Sequence, residues 1–314
     1  MRRVIARRLV ASVFSLLIAS FLIFALPRIV SDPLDMFAKP DGYGISTETR
    51  EYLTETLGLD RPLVVQYWIW LRNTLTGQLG RSVANNRLVT TIISEKVGAT
   101  VQLGIVAWIF ATLVGVPLGV VSAIRRGSAV DYLARGFALI GQAAPAFWIA
   151  ILGILLFSVK FGLLPVATRG AGLPFTEQWM YYVLPTIVLG WHPAAAYTRI
   201  TRSAMLEILD SEFVVLARAK GVSNSMVIWK HAFRNALIQP LTLSALILAG
   251  FITGTVIVET VFAWPGLGRL AIDAVFENDF PILTAVVLLF MVAYVGMNML
   301  ADFLMVLIDP RVRL

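Results

Sequence analysis

Six long apolar runs follow one another along this chain, at roughly Leu9–Leu26, Val101–Ile124, Leu133–Val159, Tyr182–Tyr197, Leu237–Val258 and Pro281–Ile308. They are continuous rather than alternating, which predicts membrane-spanning helices and argues against the short alternating strands of a transmembrane barrel. Gly190, His192 and Pro193 interrupt the fourth run. The pattern therefore predicts an all-α membrane protein, a six-span helical bundle. It divides into a first span with a basic N-terminus (1–27), an outer segment (28–98) and a core of five spans (99–314) that carries one long loop at 207–236.

The first run is longer than the apolar core of a secretory signal, which is about 7–15 residues, and it ends in Ala25-Leu26-Pro27-Arg28 without an Ala-x-Ala site. It reads as a retained span. Composition agrees with the bundle: of 314 residues 58% are hydrophobic and 14% charged, where a soluble domain carries about 25% charge. Mean hydropathy is +0.80. Cysteine is absent, which removes disulfides, thiolate nucleophiles and cysteine-ligated metals.

The net charge of +7 follows topology. With the N-terminus inside, Arg2, Arg3, Arg7, Arg8, Arg125, Arg126, Arg135, Arg199, Arg202, Arg218, Lys220, Lys230, Arg234, Arg311 and Arg313 fall on the cytoplasmic side. The two short outer loops hold only Lys160, Arg169 and Arg269. This is the distribution of the positive-inside rule. Both termini are expected in the cytoplasm, and no nucleic-acid partner is needed to explain the charge.

Within the outer segment, Ser46–Leu57 and Pro62–Leu75 read as helices, the first capped by Ser46 or Thr47 and closed by Gly58, the second started by Pro62. Val89–Val97 is expected as a third, lying at the membrane interface. A small cap on the bundle is the preferred reading of this segment. A docking surface or outer gate is the alternative.

The loop at 207–236 contains two short amphipathic helices joined at Gly221. Ser211 and Ser223 are the candidate caps, and Gly221 is free to take the left-handed closing conformation. Small Ala217 and Ala219 leave room for another protein's surface. Such a helix–turn–helix suits a lever moved by a soluble partner.

Ala217-Arg218-Ala219-Lys220-Gly221 followed by His231-Ala-Phe-Arg234-Asn235-Ala-Leu237 resembles the coupling loop of ABC importer permeases, in the dipeptide/oligopeptide/nickel branch. Further stretches resemble the first-permease type of that branch: Arg61–Tyr67, Gly77–Ser82, Val97–Leu103, Gly115–Gly127, Pro145–Trp148, Val258–Arg269 and the ending Asp309–Arg313. Val215-Leu216-Ala217 replaces the Glu-Ala-Ala of the broad importer consensus, which agrees with the peptide branch. Gln239 stands before Pro240 where the branch often has proline directly.

The resemblance implies a type I importer permease fold that forms half of a transmembrane pathway. It also implies a second homologous permease, two cytoplasmic ATPases and an outer substrate-binding protein. Glu212, Ala217–Gly221, His231, Arg234 and Asn235 would meet the ATPases. Glu259, Trp264, Pro265, Gly266, Gly268 and Arg269 would lie near the docked binding protein or an outer gate. Gly250, Thr253 and Gly254 would line the path. The implied setting is a bacterial or archaeal cell membrane. Short peptides are the first choice of substrate, with nickel chelates or glutathione as neighbours in the family.

The remaining candidates are weaker. His192 beside Pro193 is an intramembrane ionisable group, hence a functional candidate. The preferred alternative is a neutral histidine bonding a carbonyl that a proline has freed. Asp302 near the inner end of the last span is a single carboxylate without an evident cation. Glu259 is expected at the interface. Gly115-x3-Gly119 and Gly250-x3-Gly254 put small residues on one helix face, for packing or for a path. No Gly-x4-Gly-Lys-Ser/Thr, His-Glu-x2-His or Gly-x-Ser-x-Gly occurs. ATP hydrolysis and its Mg²⁺ are therefore expected on partner chains, and no cofactor or metal on this one. An ion-coupled transporter or a membrane scaffold remain as the other classes, the first demanding paired intramembrane charges that are scarce here.

Overall fold

The computed structural model describes residues 2–30, 60–166 and 168–308. The expected helix at Ser46–Leu57 and the ending Asp309–Arg313 lie outside them. Among the described residues the chain is helical, with one isolated antiparallel bridge, Arg81 to Leu88. The helices are α1 (Arg2–Val30), α2 (Leu63–Leu75), α3 (Val89–Ile124), α4 (Ala129–Ala143), α5 (Ala146–Gly153, continued by a π-helical stretch Ile154–Lys160) and α6 (Phe175–Leu209). They continue with α7 (Glu212–Ala219), α8 (Asn224–Met226, π-helical Val227–Phe233, Arg234–Ala236), α9 (Ile238–Val261), α10 (Leu267–Phe276) and α11 (Phe280–Ile308).

Two compact units arise, residues 1–98 with 266–295 and residues 99–265 with 296–314. In the first, α2 starts where expected. Pro62 precedes it, and the Pro62 carbonyl accepts from Val65 N at 2.8 Å and Gln66 N at 3.2 Å. Tyr67 turns inward on α2 and meets α1. Its hydroxyl pairs with the Ser20 hydroxyl at 2.8 Å, and Phe21 packs edge-on at 5.2 Å. A buried polar pair between apolar helices satisfies both hydroxyls at once. Asp279 caps α11 in the same unit: Oδ1 accepts from Ile282 N at 3.3 Å, and Oδ2 accepts from Ser82 Oγ and Ala84 N.

The expected interfacial helix at Val89–Val97 is corrected by the structure. It is the opening of α3, which runs unbroken to Ile124 for 36 residues. At 1.5 Å per residue such a helix is about 54 Å long, well beyond the roughly 30 Å of a bilayer core. Nothing in residues 89–124 interrupts it except Pro117, so the polar beginning and the apolar run form one rod.

A second correction falls on Leu133–Val159. The two helices that share this run, α4 and α5, are bent by 109°. Ala144 takes φ −80°, ψ 130°, the extended conformation that a following proline imposes, and Pro145 then starts α5. Hydropathy sees one apolar run, whereas the dihedral angles break it.

In the second unit, α3 and α6 approach closely. A Cβ added at Gly115 would lie 2.4 Å from the Ala194 carbonyl oxygen, and one at Gly119 would lie 2.6 Å from Thr201 Cβ. The Gly115-x3-Gly119 stripe is thus a helix-packing seam. Gly250 differs, for nothing lies within 4 Å of its added Cβ. Ala99, Leu103, Ala107, Leu184, Val188, Phe251, Phe262 and Trp264 form the largest core of this unit.

By length and apolar composition, three helices qualify to cross a membrane (within α1, α3 and α11), or four if the bent pair is one span. α6 is long enough but carries Pro185, Pro193, His192, Arg199 and Arg202. Of α9 only the apolar stretch Ile238–Leu248 is recognised. The described residues thus support fewer spans by this criterion than the six expected.

Candidate functional site

α6 ends at Leu209, and two short helical segments joined at Gly221 follow, as expected, but neither expected serine cap forms. Ser211 stands at the N-terminus of α7, but its hydroxyl donates back to the Ile208 carbonyl at 2.5 Å rather than capping forward. At the other end Gly221 has φ +76°. Gly221 N donates to the Arg218 carbonyl at 3.0 Å, and Val222 N to the Ala217 carbonyl at 3.2 Å. These are the paired bonds of a Schellman closure, with Val222 and Ala217 joined in one small core. Ser223 then opens α8, without a side-chain cap bond.

This helix–glycine–helix has two faces. Inward, Val214, Ala217 and Val227 are buried together, while Ile228, Ala232 and Ala236 pack on Val120 and Ala123 of α3 and on Ala204 and Met205 of α6. Outward, Phe213, Val215, Leu216, Met226 and Trp229 are exposed, Leu216 and Trp229 each at 56%. Glu212, Arg218, Ala219, Lys220, Gly221, Arg234 and Asn235 are exposed beside them, and His231 is half-buried. Asn235 Nδ2 donates to the His231 carbonyl at 2.6 Å. The predicted coupling residues are thus gathered on one platform, of which only Ala217 is built into the core. An exposed apolar surface ringed by polar groups is the composition of a protein contact.

Just above the platform, α6 is tied to the α3–α4 corner by a network that sequence reasoning missed. Arg202 Nε donates to Asp131 Oδ1 at 2.8 Å and Nη2 to Oδ2 at 3.0 Å. Ser122 Oγ donates to Asp131 Oδ1 at 2.6 Å, and Gly127 N to Oδ2 at 3.0 Å. Asp131 is 1% exposed. The carboxylate therefore has its lone pairs engaged, and the guanidinium fork meets it bidentately. The local signal was Ser128-x-x-Asp131, where the Ser128 hydroxyl accepts from Asp131 N at 3.4 Å. The partner 71 residues away had none.

His192 follows the structural reading, with a different proline responsible. Its Nδ1 lies 3.2 Å from the Gly141 carbonyl oxygen. Pro145, four residues after Gly141, has no N–H to offer that carbonyl at the end of α4. The side chain of Asp302, like that of Thr253, and the surroundings of Gly254 lie outside the described residues. All three positions sit on helices, Thr253 and Gly254 on α9 with the half-buried Gly250.

At the other end of α9, Glu259 is fully buried within the protein. Its Oε1 accepts from Thr100 Oγ1 at 2.7 Å. Trp264 is also fully buried, its indole N–H donating to the Ala99 carbonyl at 3.0 Å, and Tyr182 meets it edge-on at 4.7 Å. Pro265 is half-buried. Beyond it, Gly266 and Gly268 are buried at the start of α10, and Arg269 pairs with Asp273 at 3.6 Å. Glu259, Trp264, Gly266 and Gly268 of the predicted docking turn are therefore buried, and Pro265 and Arg269 are half-buried.

Residues 115–314 match the family described as binding-protein-dependent transport system inner membrane component, and residues 1–104 match its N-terminal companion. The chain belongs to this family. The dipeptide transport system permease protein DppB of Escherichia coli (strain K12) is 36% identical over all of this chain and 99% of its own length. The glutathione transport system permease protein GsiC of Escherichia coli O6:H1 is 35% identical over 98% of each. A Brucella abortus (strain 2308) chain, provisionally named a peptide transport system permease protein, is 38% identical over 100% of this chain and 99% of its own. Among solved structures, the MetNI methionine ABC transporter in an inward-facing conformation aligns with a TM-score of 0.55 at 19% identity, over 69% of this chain and 96% of that one. That likeness shows the fold, an all-α permease bundle of the ABC importer kind. As a member of this family the chain is a permease component of the inner membrane.

Proposed function

We propose that the chain forms half of the transmembrane pathway of an ATP-driven importer of short peptides. A homologous permease supplies the other half, and an outer binding protein delivers the peptide. Two cytoplasmic ATPase copies, or one fused chain, bind ATP and Mg²⁺ and press on the platform at 207–236. Both termini are cytoplasmic, six spans cross the membrane, and residues 28–98 stand outside. Glutathione, named for one relative, is itself a short peptide and belongs to the same substrate class.

The observation that carries this reading is the two-faced platform. A surface that only packs would bury Leu216 and Trp229. A flexible loop would not be pinned through Ile228 and Ala232 to α3 and α6. A pinned platform with an apolar outer face transmits force from a docked partner into both helices. ATP binding then shifts the population between inward- and outward-open states, provided the partner binds the platform differently in each.

The test is co-purification from the native membrane. Wild type is expected to bring a second permease and ATPase chains, and Leu216→Asp with Trp229→Asp is expected to lose the ATPases while still inserting. Retention of ATPase chains by the double variant would contradict the assignment.

A further inference from the structure

Arg169 stands at the opposite end of α6 from the platform, just before the helix begins at Phe175. Its backbone is held in an unusual way. Thr168 has φ +77° and Gly170 has φ +63°. A left-handed threonine is strained, since a β-branched side chain disfavours that region. Thr168 N is nevertheless fixed to the Phe262 carbonyl at 2.9 Å. Gly170 is buried, and a Cβ there would meet the Tyr181 ring at 2.7 Å. Arg169 thus lies between two residues of left-handed backbone, one of them tied to Phe262.

The guanidinium is then received by neutral groups. Nε donates to the Tyr182 hydroxyl at 3.1 Å, and Nη2 donates to Gln102 Oε1. The Tyr182 hydroxyl donates to the same Gln102 oxygen at 3.1 Å, so the three side chains close a triangle. The Tyr182 ring is in turn set against buried Trp264. Among the described residues no carboxylate pairs with Arg169, and Glu259 gives its Oε1 to Thr100. An arginine has five N–H donors and cannot shed its charge. Two are used here, which leaves three donors and a full positive charge on a half-buried, preorganised group.

We propose that Arg169 is a binding residue for the C-terminal carboxylate of the transported peptide at the outer end of the pathway, with Gln102 and Tyr182 as its positioning residues. The inference rests on the peptide reading above for the identity of the ligand. A planar fork held by neutral acceptors keeps its electrostatic attraction for a carboxylate, and its remaining N–H groups suit two carboxylate oxygens. A diffusible small carboxylate fits a half-buried cation better than a protein surface does.

The probe is a dipeptide with a free C-terminus and the same dipeptide as its C-terminal amide. Both are tested by equilibrium dialysis against the detergent-purified permease–ATPase complex without binding protein. Wild type is expected to hold the free acid about tenfold more tightly or better, the range of a charge-assisted bond. Arg169→Gln is expected to abolish that preference, and Arg169→Lys to keep part of it. Equal binding of acid and amide by the wild-type complex overturns the proposal without any variant. If Arg169→Gln instead weakens capture of the loaded binding protein, the carboxylate belongs to that protein and the proposal also falls. A complex that prefers the acid but imports no peptide keeps the site and removes the importer reading.

Discussion

The two ends of α6 each carry an arginine with a defined setting, and the settings differ. Near the C-terminal end Arg202 is neutralised by Asp131, and Ser122 and Gly127 complete the carboxylate's bonds. Just before its N-terminal end Arg169 is held by Tyr182 and Gln102, which bring no charge. A closed ionic network in an apolar surround locks elements together, because opening it strands a charge. Among the described residues no carboxylate pairs with Arg169, so the binding role proposed for it above rests on an uncompensated charge. The contrast separates an ion pair closed within the chain from an arginine held by neutral groups alone.

The largest effect should follow from breaking the Asp131–Arg202 network. Asp131→Ala leaves Arg202 without its counter-charge and the α3–α4 corner without its tie to α6. Removing one member of a buried pair costs on the order of 3–5 kcal/mol. A marked fall in the thermal midpoint of the purified complex is expected, with transport lost. Arg169→Gln, by contrast, should lower that midpoint far less, since it removes hydrogen bonds but no ionic bond. A comparable fall in both would erase the distinction.

The smallest effect is expected close to the Asp131–Arg202 network but outside it. Arg126 and Asp210 approach to 3.9 Å with both side chains about seven-tenths exposed. Exposed pairs of this kind contribute about 0–1 kcal/mol. Asp210→Asn should shift the midpoint hardly at all. A large shift would show that the corner is held by more than Asp131.

How much of this was legible in the sequence varies with the range of the forces involved. Local rules served well. Pro62 started α2, Gly221 closed α7, and the small residues Gly115 and Gly119 marked a helix seam. Hydropathy failed where composition hides geometry. It read Leu133–Val159 as one continuous run although Pro145 forces Ala144 out of the helix, and it separated Val89–Val97 from a rod that continues past it. Burial set by distant partners was also hidden. The full burial of Glu259 has no local signal, and one of its partners, Thr100, lies 159 residues earlier. The Asp131–Arg202 and Arg169–Gln102 contacts join residues 71 and 67 positions apart, and no local pattern announces either.

The central claim is that the platform beyond α6 transmits the partner's work to the spans. The direct measurement is peptide uptake per ATP hydrolysed by the reconstituted complex carrying Gly221→Pro. Proline is fixed near φ −65°, and Gly221 sits at +76°, so the Schellman closure is lost while the inner faces of α7 and α8 remain apolar. The account predicts that ATPase chains still assemble and hydrolyse ATP while uptake collapses. Uptake per ATP equal to wild type would contradict it.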